Sequence, residues 1–311
     1  MRLPLQRPSP PSRTPASGEL ELFRSEVVSV LDWRCAGHDS TREELSQAHQ
    51  VIVTRRGSFE RSSGGTRTFA DSSAVCFWNS DESYRVRHPV PGGDSCSVFQ
   101  LSPDAVRELM AVHDPGALDR PEVRFPAASA PLDGVGYLQH RLALHAARRM
   151  GEIPLEVEEL AVELLHRALA PLRGLVRQAP NKSAEEYAAR VREVVAARYR
   201  EPLSLADVAR AVHCSPYHLS RMVSAVEGIS IHRLILRLRL REALERMLDT
   251  GDTVAAIAMA VGFGSHSRFS EAFRREFGVT PREVRLLSGA AVRMLRLARR
   301  PDRSYRRRHR P

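Results

Sequence analysis

The sequence predicts a multidomain α+β chain: a β-rich N-terminal half, a helical connector, and an all-α C-terminal domain made of two helix-turn-helix units. Three observations predict it. A helical pattern occurs twice in the last third, in LADVARAVHCSPYHLSRMV and VAAIAMAVGFGSHSRFSEAF. Short runs rich in Val, Phe, Trp and Thr fill residues 22–100, punctuated by Gly, Ser, Asp and Pro. Positive charge is concentrated at one end, with a net +12 over residues 181–311 against −2 over the rest.

The repeat is in register. Ala209 and Ala258 are 49 residues apart, and so are His213 and Gly262. Two helices can cross closely only over a small residue, and the turn between them suits one that tolerates positive φ. Ser215 and Ser265 are expected to cap the second helix of each unit, with Pro216 at the first helical position. Leu219, Met222, Val223 and Val226 then form the inward stripe of one such helix, and Phe269, Ala272, Phe273 and Phe277 that of the other. The residues left outside are Tyr217, His218, Ser220, Arg221 and Ser224 in the first unit. In the second they are His266, Ser267, Arg268, Glu271, Arg274 and Arg275. An apolar back and a polar front are what a helix needs to lie in a DNA major groove.

Between the units, ISIHRLILRLRLREALERMLDTGD predicts one long helix capped by Ser230 and ended near Gly251. At about 1.5 Å per residue its roughly 19 residues span about 28 Å, close to one DNA turn of about 34 Å. Arg233, Arg237, Arg239, Arg241 and Arg246 are expected along its surface, facing DNA or solvent.

These stretches resemble the DNA-binding domain of the AraC/XylS transcription regulators, from about residue 183 to 286. The most specific part is Gly262-Phe263, Ser265, the Phe269/Phe273/Phe277 stripe, Gly278 and Thr280-Pro281. The resemblance implies DNA-facing roles for Tyr217, His218, Ser220 and Arg221, and for His266, Ser267, Arg268 and Glu271, with Arg274 and Arg275 beside them. Arg221 suits bidentate bonding to guanine, or otherwise a phosphate. Glu271 would accept from a cytosine N4 or orient a neighbouring arginine. The partner implied is double-stranded DNA at a promoter or operator, with RNA polymerase added if the protein activates.

In the N-terminal half, the short punctuated strands read as a small all-β barrel or sandwich. In the AraC/XylS family this domain is often a cupin-like barrel that binds an effector or a partner subunit. Arg55, Arg56, Arg85 and Arg87 are candidates to meet an anionic small-molecule effector, or else line an exposed strand face. A metal-dependent cupin enzyme is a rival reading, but His38, His49 and His88 lack the paired spacing of such a site. No metal, cofactor or catalytic residue is expected. Cys35, Cys76, Cys96 and Cys214 read as reduced thiols, with a redox pair of Cys76 and Cys96 as an alternative.

The boundaries follow composition. Residues 1–18 read as a flexible Pro- and Ser-rich start, 19–132 as the cupin-like domain and 133–180 as the helical connector. Residues 181–287 are the double helix-turn-helix domain and 288–311 a basic tail that adds phosphate affinity. In the connector, Val157, Leu160, Leu164, Leu165, Ala168, Leu172 and Leu175 form a broad apolar face. Part of that face is expected to cover the barrel and part to pair with a second copy in a homodimer. APNKSAEE at 179–186 reads as the interdomain linker, with Ser183 capping the helix after it. Without a run of about 20 apolar residues no membrane span is expected, and the location implied is cytoplasmic. A basic DNA binder with little sequence choice stays open as the other reading, as does a cupin-type enzyme fused to a DNA-binding module.

Overall fold

The computed structural model describes residues 18–40, 42–148, 154–172 and 182–286. Almost all of the Pro- and Ser-rich start, the basic tail, Leu175 and residues 179–181 of the expected linker lie outside the described residues.

Among the described residues, ten strands form two antiparallel sheets. Six pair in the order β1 (Gly18–Arg24), β2 (Ser29–Cys35), β9 (Asp94–Leu101), β4 (His49–Gly57), β7 (Ala74–Trp78) and β10 (Ser129–Pro131). The others pair in the order β3 (Glu44–Leu45), β8 (Ser83–Arg87), β5 (Phe59–Ser63) and β6 (Thr66–Ala70). Of the barrel and the sandwich expected, the barrel is corrected here to an open two-sheet arrangement, because β1 and β10 end one sheet and β3 and β6 the other.

The six-stranded sheet is covered on both faces. Leu31, Ile52, Cys76, Trp78, Cys96 and Val98 point towards Phe59, Ala70, Tyr84 and Val86 of the smaller sheet. Val30, Val51, Val53, Val75, Phe77 and Phe99 point the other way, into a core with α2 (Gly134–Arg148) and α3 (Pro154–Leu169), which follow the short α1 (Pro103–Ala111). A strand buried on both sides loses the alternation of a one-faced sheet, and β7 is accordingly buried at all five positions. Helices therefore supply the third layer that a closed barrel would not need.

On α3, Val157, Leu160, Leu164, Leu165 and Ala168 are each no more than 1% exposed. The chain itself fills that face, so the part expected to pair with a second copy is not free on this stripe. Leu172 is half-buried.

The C-terminal helices are α4 (Lys182–Arg198), α5 (Leu205–Ala211), α6 (Pro216–Glu227), α7 (Ile231–Asp249), α8 (Val254–Ala260), α9 (His266–Phe277) and α10 (Pro281–Arg285). Helix α4 begins at Lys182, so position 183, expected as its cap, falls within the helix. Helix α7 serves two cores in succession. Ile231, Leu234, Ile235 and Leu238 join Val191, Val195, Val208, Ala209, Val212, Leu219 and Val223 in one. Leu240, Ala243, Leu244 and Met247 join Ile257, Ala258, Val261, Phe269, Phe273 and Phe277 in another, which is continuous with the core of the N-terminal domain.

Surrounded on most sides, α7 does not carry its arginines as one free surface stripe, which corrects the expectation for Arg237, Arg239 and Arg241, while Arg233 and Arg246 stay partly exposed. Arg239 donates to the carbonyls of Tyr199, Glu201 (2.6 Å) and Gly262 (2.8 Å), tying the two units together. Arg241 is fully buried, donates to the Leu132 carbonyl and lies 4.7 Å over the Tyr137 ring. Arg246 donates to Glu242 at 2.9 Å, and Arg233 and Arg237 each pair with Glu276 at 3.4 Å. Charged contacts also join α7 to the N-terminal half. Tyr137 Oη donates to Glu245 at 2.8 Å, Arg141 lies 3.0 Å from the same carboxylate, and Asp249 accepts from Arg141 (2.8 Å) and Arg56 (3.2 Å). No described helix is long and apolar enough to cross a membrane.

Candidate nucleic-acid interface

The two helix-turn-helix units close by the same hydrogen bonds. In the first, His213 N–H donates to the Arg210 carbonyl (3.3 Å) and Cys214 N–H to that of Ala209 (2.9 Å). In the second, Gly262 N–H donates to Met259 (3.0 Å) and Phe263 N–H to Ala258 (2.9 Å). The turn residue is left-handed in both, with φ of 54° at His213 and 87° at Gly262. Only glycine fits the second turn without conflict, since a Cβ there would lie 2.8 Å from the Arg200 carbonyl oxygen and 3.0 Å from the Arg239 guanidinium carbon. Ala209 and Ala258, each 1% exposed, are the small crossing residues.

Capping fixes where each helix starts. Ser215 accepts from His218 N–H, Ser230 from Arg233 N–H, and Thr280 closes a reciprocal box with Glu283. Ser204, which the repeat alone did not single out, closes another with Asp207 ahead of α5. Ser265 occupies the cap position of α9 but makes no side-chain bond, which corrects the expectation; its φ of −154° differs from the −73° of Ser215.

Behind the presented faces the packing is apolar. Phe269, Phe273 and Phe277 are fully buried and stack in series, with centroids 5.6 and 4.5 Å apart. Leu219 and Val223 do the same for α6, with Met222 half-buried. Val226 departs from the expected stripe: it is 39% exposed, because it lies in the last turn of α6, just before the left-handed Gly228. In front, Tyr217, His218, Arg221, His266, Ser267, Arg268, Glu271, Arg274 and Arg275 are all exposed, and Ser220 is half-buried. Among the two alternatives for Glu271, the structure pairs it with a neighbour: Arg275 donates to it at 2.6 Å.

The N-terminal candidates divide differently. Arg55 is buried against Asp32, where Arg148 also donates at 2.9 Å, so it is not on an open ligand face. Arg56 pairs with Asp249, Arg87 with Glu60 and Glu193 (3.2 Å), and exposed Arg85 lies 4.0 Å from Glu43. A side chain the sequence reading passed over, Arg61, is buried beside a cavity of about 240 Å³ that is also lined by Thr66, Thr68, Asn79, Glu82 and Phe125. Arg61 pairs with Glu82 at 2.7 Å and lies 5.0 Å over Trp78. Cys76 and Cys96 do not form a redox pair: β4 runs between their strands, and burial, the largest influence, pushes the Cys76 thiol up to about 12 and that of Cys96 well above its ordinary value.

Residues 208–286 match a family model described as a helix-turn-helix domain. The chain is 24% identical to the HTH-type transcriptional activator RhaS of Escherichia fergusonii, over 86% of this chain and 95% of that protein. It is 30% identical to the HTH-type transcriptional regulator ArgR of Pseudomonas aeruginosa, over 49% of this chain and 46% of that one. A solved AraC-type DNA-binding domain from Chromobacterium violaceum is 30% identical, with 35% of this chain covering 98% of that chain at a TM-score of 0.33. Residues 208–286 are thus similar to the helix-turn-helix domain of HTH-type transcription regulators. The matched region runs from α5 through both helix-turn-helix units and ends with α10.

Proposed function

We propose that the chain is a sequence-specific regulator of transcription that reads double-stranded DNA at a promoter or operator through α6 and α9. The observation that carries this reading is the duplication itself: two units with the same turn geometry each bury an apolar back and present a polar front. In α6 the reading residues are Tyr217, His218, Ser220 and Arg221; in α9 they are His266, Ser267, Arg268 and Glu271, with Arg274 and Arg275 towards the phosphates. Helix α7, whose 19 residues span about 28 Å, fixes the separation of the two fronts near one DNA turn.

The N-terminal domain, an open cupin-like sandwich, controls that separation in response to a small-molecule effector. The support is positional. The cavity beside Arg61 is open to solvent and lined by residues of both sheets and of the 125–128 segment, and the polar contacts of Tyr137, Arg141 and Arg56 with Glu245 and Asp249 reach α7. A homodimer would use a surface other than the buried α3 stripe, and RNA polymerase is a partner if the protein activates.

The test compares affinity for a duplex enriched from random DNA with that for a scrambled duplex at one salt concentration. Arg221→Ala and Arg268→Ala are expected to cost about 1–3 kcal/mol on the enriched duplex and little on the scrambled one. Equal losses on both would make these side chains phosphate contacts. Equal affinity of the unaltered protein for both would leave a nonspecific binder.

A further inference from the structure

Three side chains that the sequence scatters meet at one end of the N-terminal sandwich. Cys35 closes β2, His88 follows β8 and Asp94 opens β9, and one ligand atom of each lies within 4.8 Å of the others. We propose that Cys35, His88 and Asp94 form a binding site for a single divalent transition ion of the zinc class, separate from the DNA-reading surface and from the cavity beside Arg61.

The donor set is the first argument. One thiolate, one imidazole and one carboxylate match the mixed sulfur, nitrogen and oxygen coordination that zinc accepts, and magnesium or calcium does not take thiolate. Distance is the second. A tetrahedral site with bonds of about 2.0–2.3 Å holds its ligand atoms about 3.3–3.6 Å apart. His88 Nε2 is now 2.8 Å from Asp94 Oδ2, so this pair opens by about half an ångström while Cys35 closes in.

Burial and support are the third. The His88 side chain is 3% exposed, and its Nδ1 lies 3.7 Å from Asp39, which leaves Nε2 to face Asp94. The Asp94 side chain is 4% exposed, and its second oxygen accepts from the Cys96 thiol at 3.1 Å, which fixes the carboxylate without occupying Oδ2. The strands close around the cluster through Gly93, where φ is 68° and a Cβ would lie 2.0 Å from the Cys35 carbonyl oxygen. A larger residue at 93 would push the thiol away from the carboxylate. Cys35 is half-buried, which leaves an entry path from solvent.

An ion here joins the end of β2 and the start of β9 in one sheet to the segment after β8 in the other, at an open end of the sandwich. Asp94 also pairs in register with Gly57, next to Arg56, which holds Asp249 of α7.

The probe is Co(II), added to the full-length protein after chelator treatment, followed by Zn(II). The expected result is one Co(II) per chain with a thiolate-to-cobalt charge-transfer band that Zn(II) removes. Cys35→Ser should abolish the band, His88→Gln and Asp94→Asn should weaken binding at least tenfold, and Cys214→Ser should leave it intact. Zn(II) should also raise the thermal unfolding midpoint of the unaltered protein and not that of Cys35→Ser, a readout that does not depend on colour. Absence of a band, a band that persists in Cys35→Ser, or one lost equally in Cys214→Ser would overturn the proposal.

Discussion

The second turn offers a sharp test of the duplicated geometry, because the same backbone conformation is held by histidine in one unit and glycine in the other. Replacing Gly262 by Ala forces a Cβ into the left-handed region, at a cost of about 1–2 kcal/mol, less about 0.4–1 kcal/mol returned by a stiffer unfolded chain. The new methyl also meets the Arg200 carbonyl oxygen at 2.8 Å, a backbone atom that cannot swing aside, and the Arg239 guanidinium at 3.0 Å. That overlap adds about 1 kcal/mol, so Gly262→Ala should destabilise by about 2 kcal/mol. His213→Gly runs the other way: it releases the strain at φ 54° but loosens the unfolded chain, for a net gain of about 0.5 kcal/mol. Urea unfolding of both variants, with unchanged denaturant slopes, reads the difference. A neutral Gly262→Ala, or a His213→Gly that destabilises by more than about 1 kcal/mol, would refute the equivalence of the two turns.

Three further outcomes follow from charged groups. Glu271→Gln should leave stability nearly unchanged, since its pair with Arg275 is exposed, but should free Arg275 for phosphate and steepen the salt dependence of DNA binding by about one unit; an unchanged slope would count against it. Glu245→Ala strands the buried Arg141 with Asp249 alone and leaves Tyr137 Oη unpaired, so it should cost about 3–5 kcal/mol in urea, with Glu245→Gln costing less; a loss below about 1 kcal/mol would show that the contact is not structural. Burial raises the Glu242 pKa, but hydrogen bonds from Arg200 and Tyr199 more than offset it and hold the carboxylate below its ordinary 4.5. The stability it lends is full above that ordinary value and is lost as pH falls through the lower folded one, so Glu242→Gln should flatten the fall in urea midpoint below about pH 4.5. An acid limb identical in both proteins would contradict this.

The sequence showed most where structure is decided locally. The positive φ at His213 and Gly262, the small Ala209 and Ala258, the caps at Ser215, Ser230 and Thr280, and the three buried phenylalanines all depend on residues within a few positions of one another. What it concealed is long-range. Arg239 and Arg241 read as surface arginines because nothing in α7 reveals that the Gly262 carbonyl and the Tyr137 ring wait beside it. The two-sided burial of β4, β7 and β9 depends on helices that come much later in the chain, and the open edges at β1, β10, β3 and β6 depend on which strands fail to pair. The Cys35–His88–Asp94 cluster was invisible for the same reason, since histidine spacing cannot register a thiol brought in by strand pairing. Among the outward residues of α6 and α9, exposure was legible, whereas the Glu271–Arg275 pairing had to be seen.

Two reading helices held at a fixed separation are the centre of the account, and selection of bound sequences from random DNA tests them most directly. The full chain, Arg221→Ala and Arg268→Ala would be taken through it side by side at near-physiological salt. Two short motifs about 10 base pairs apart are expected from the unaltered protein, with each variant erasing a different one of the two. A single motif, no enriched motif, or the same motif lost in both variants would contradict it.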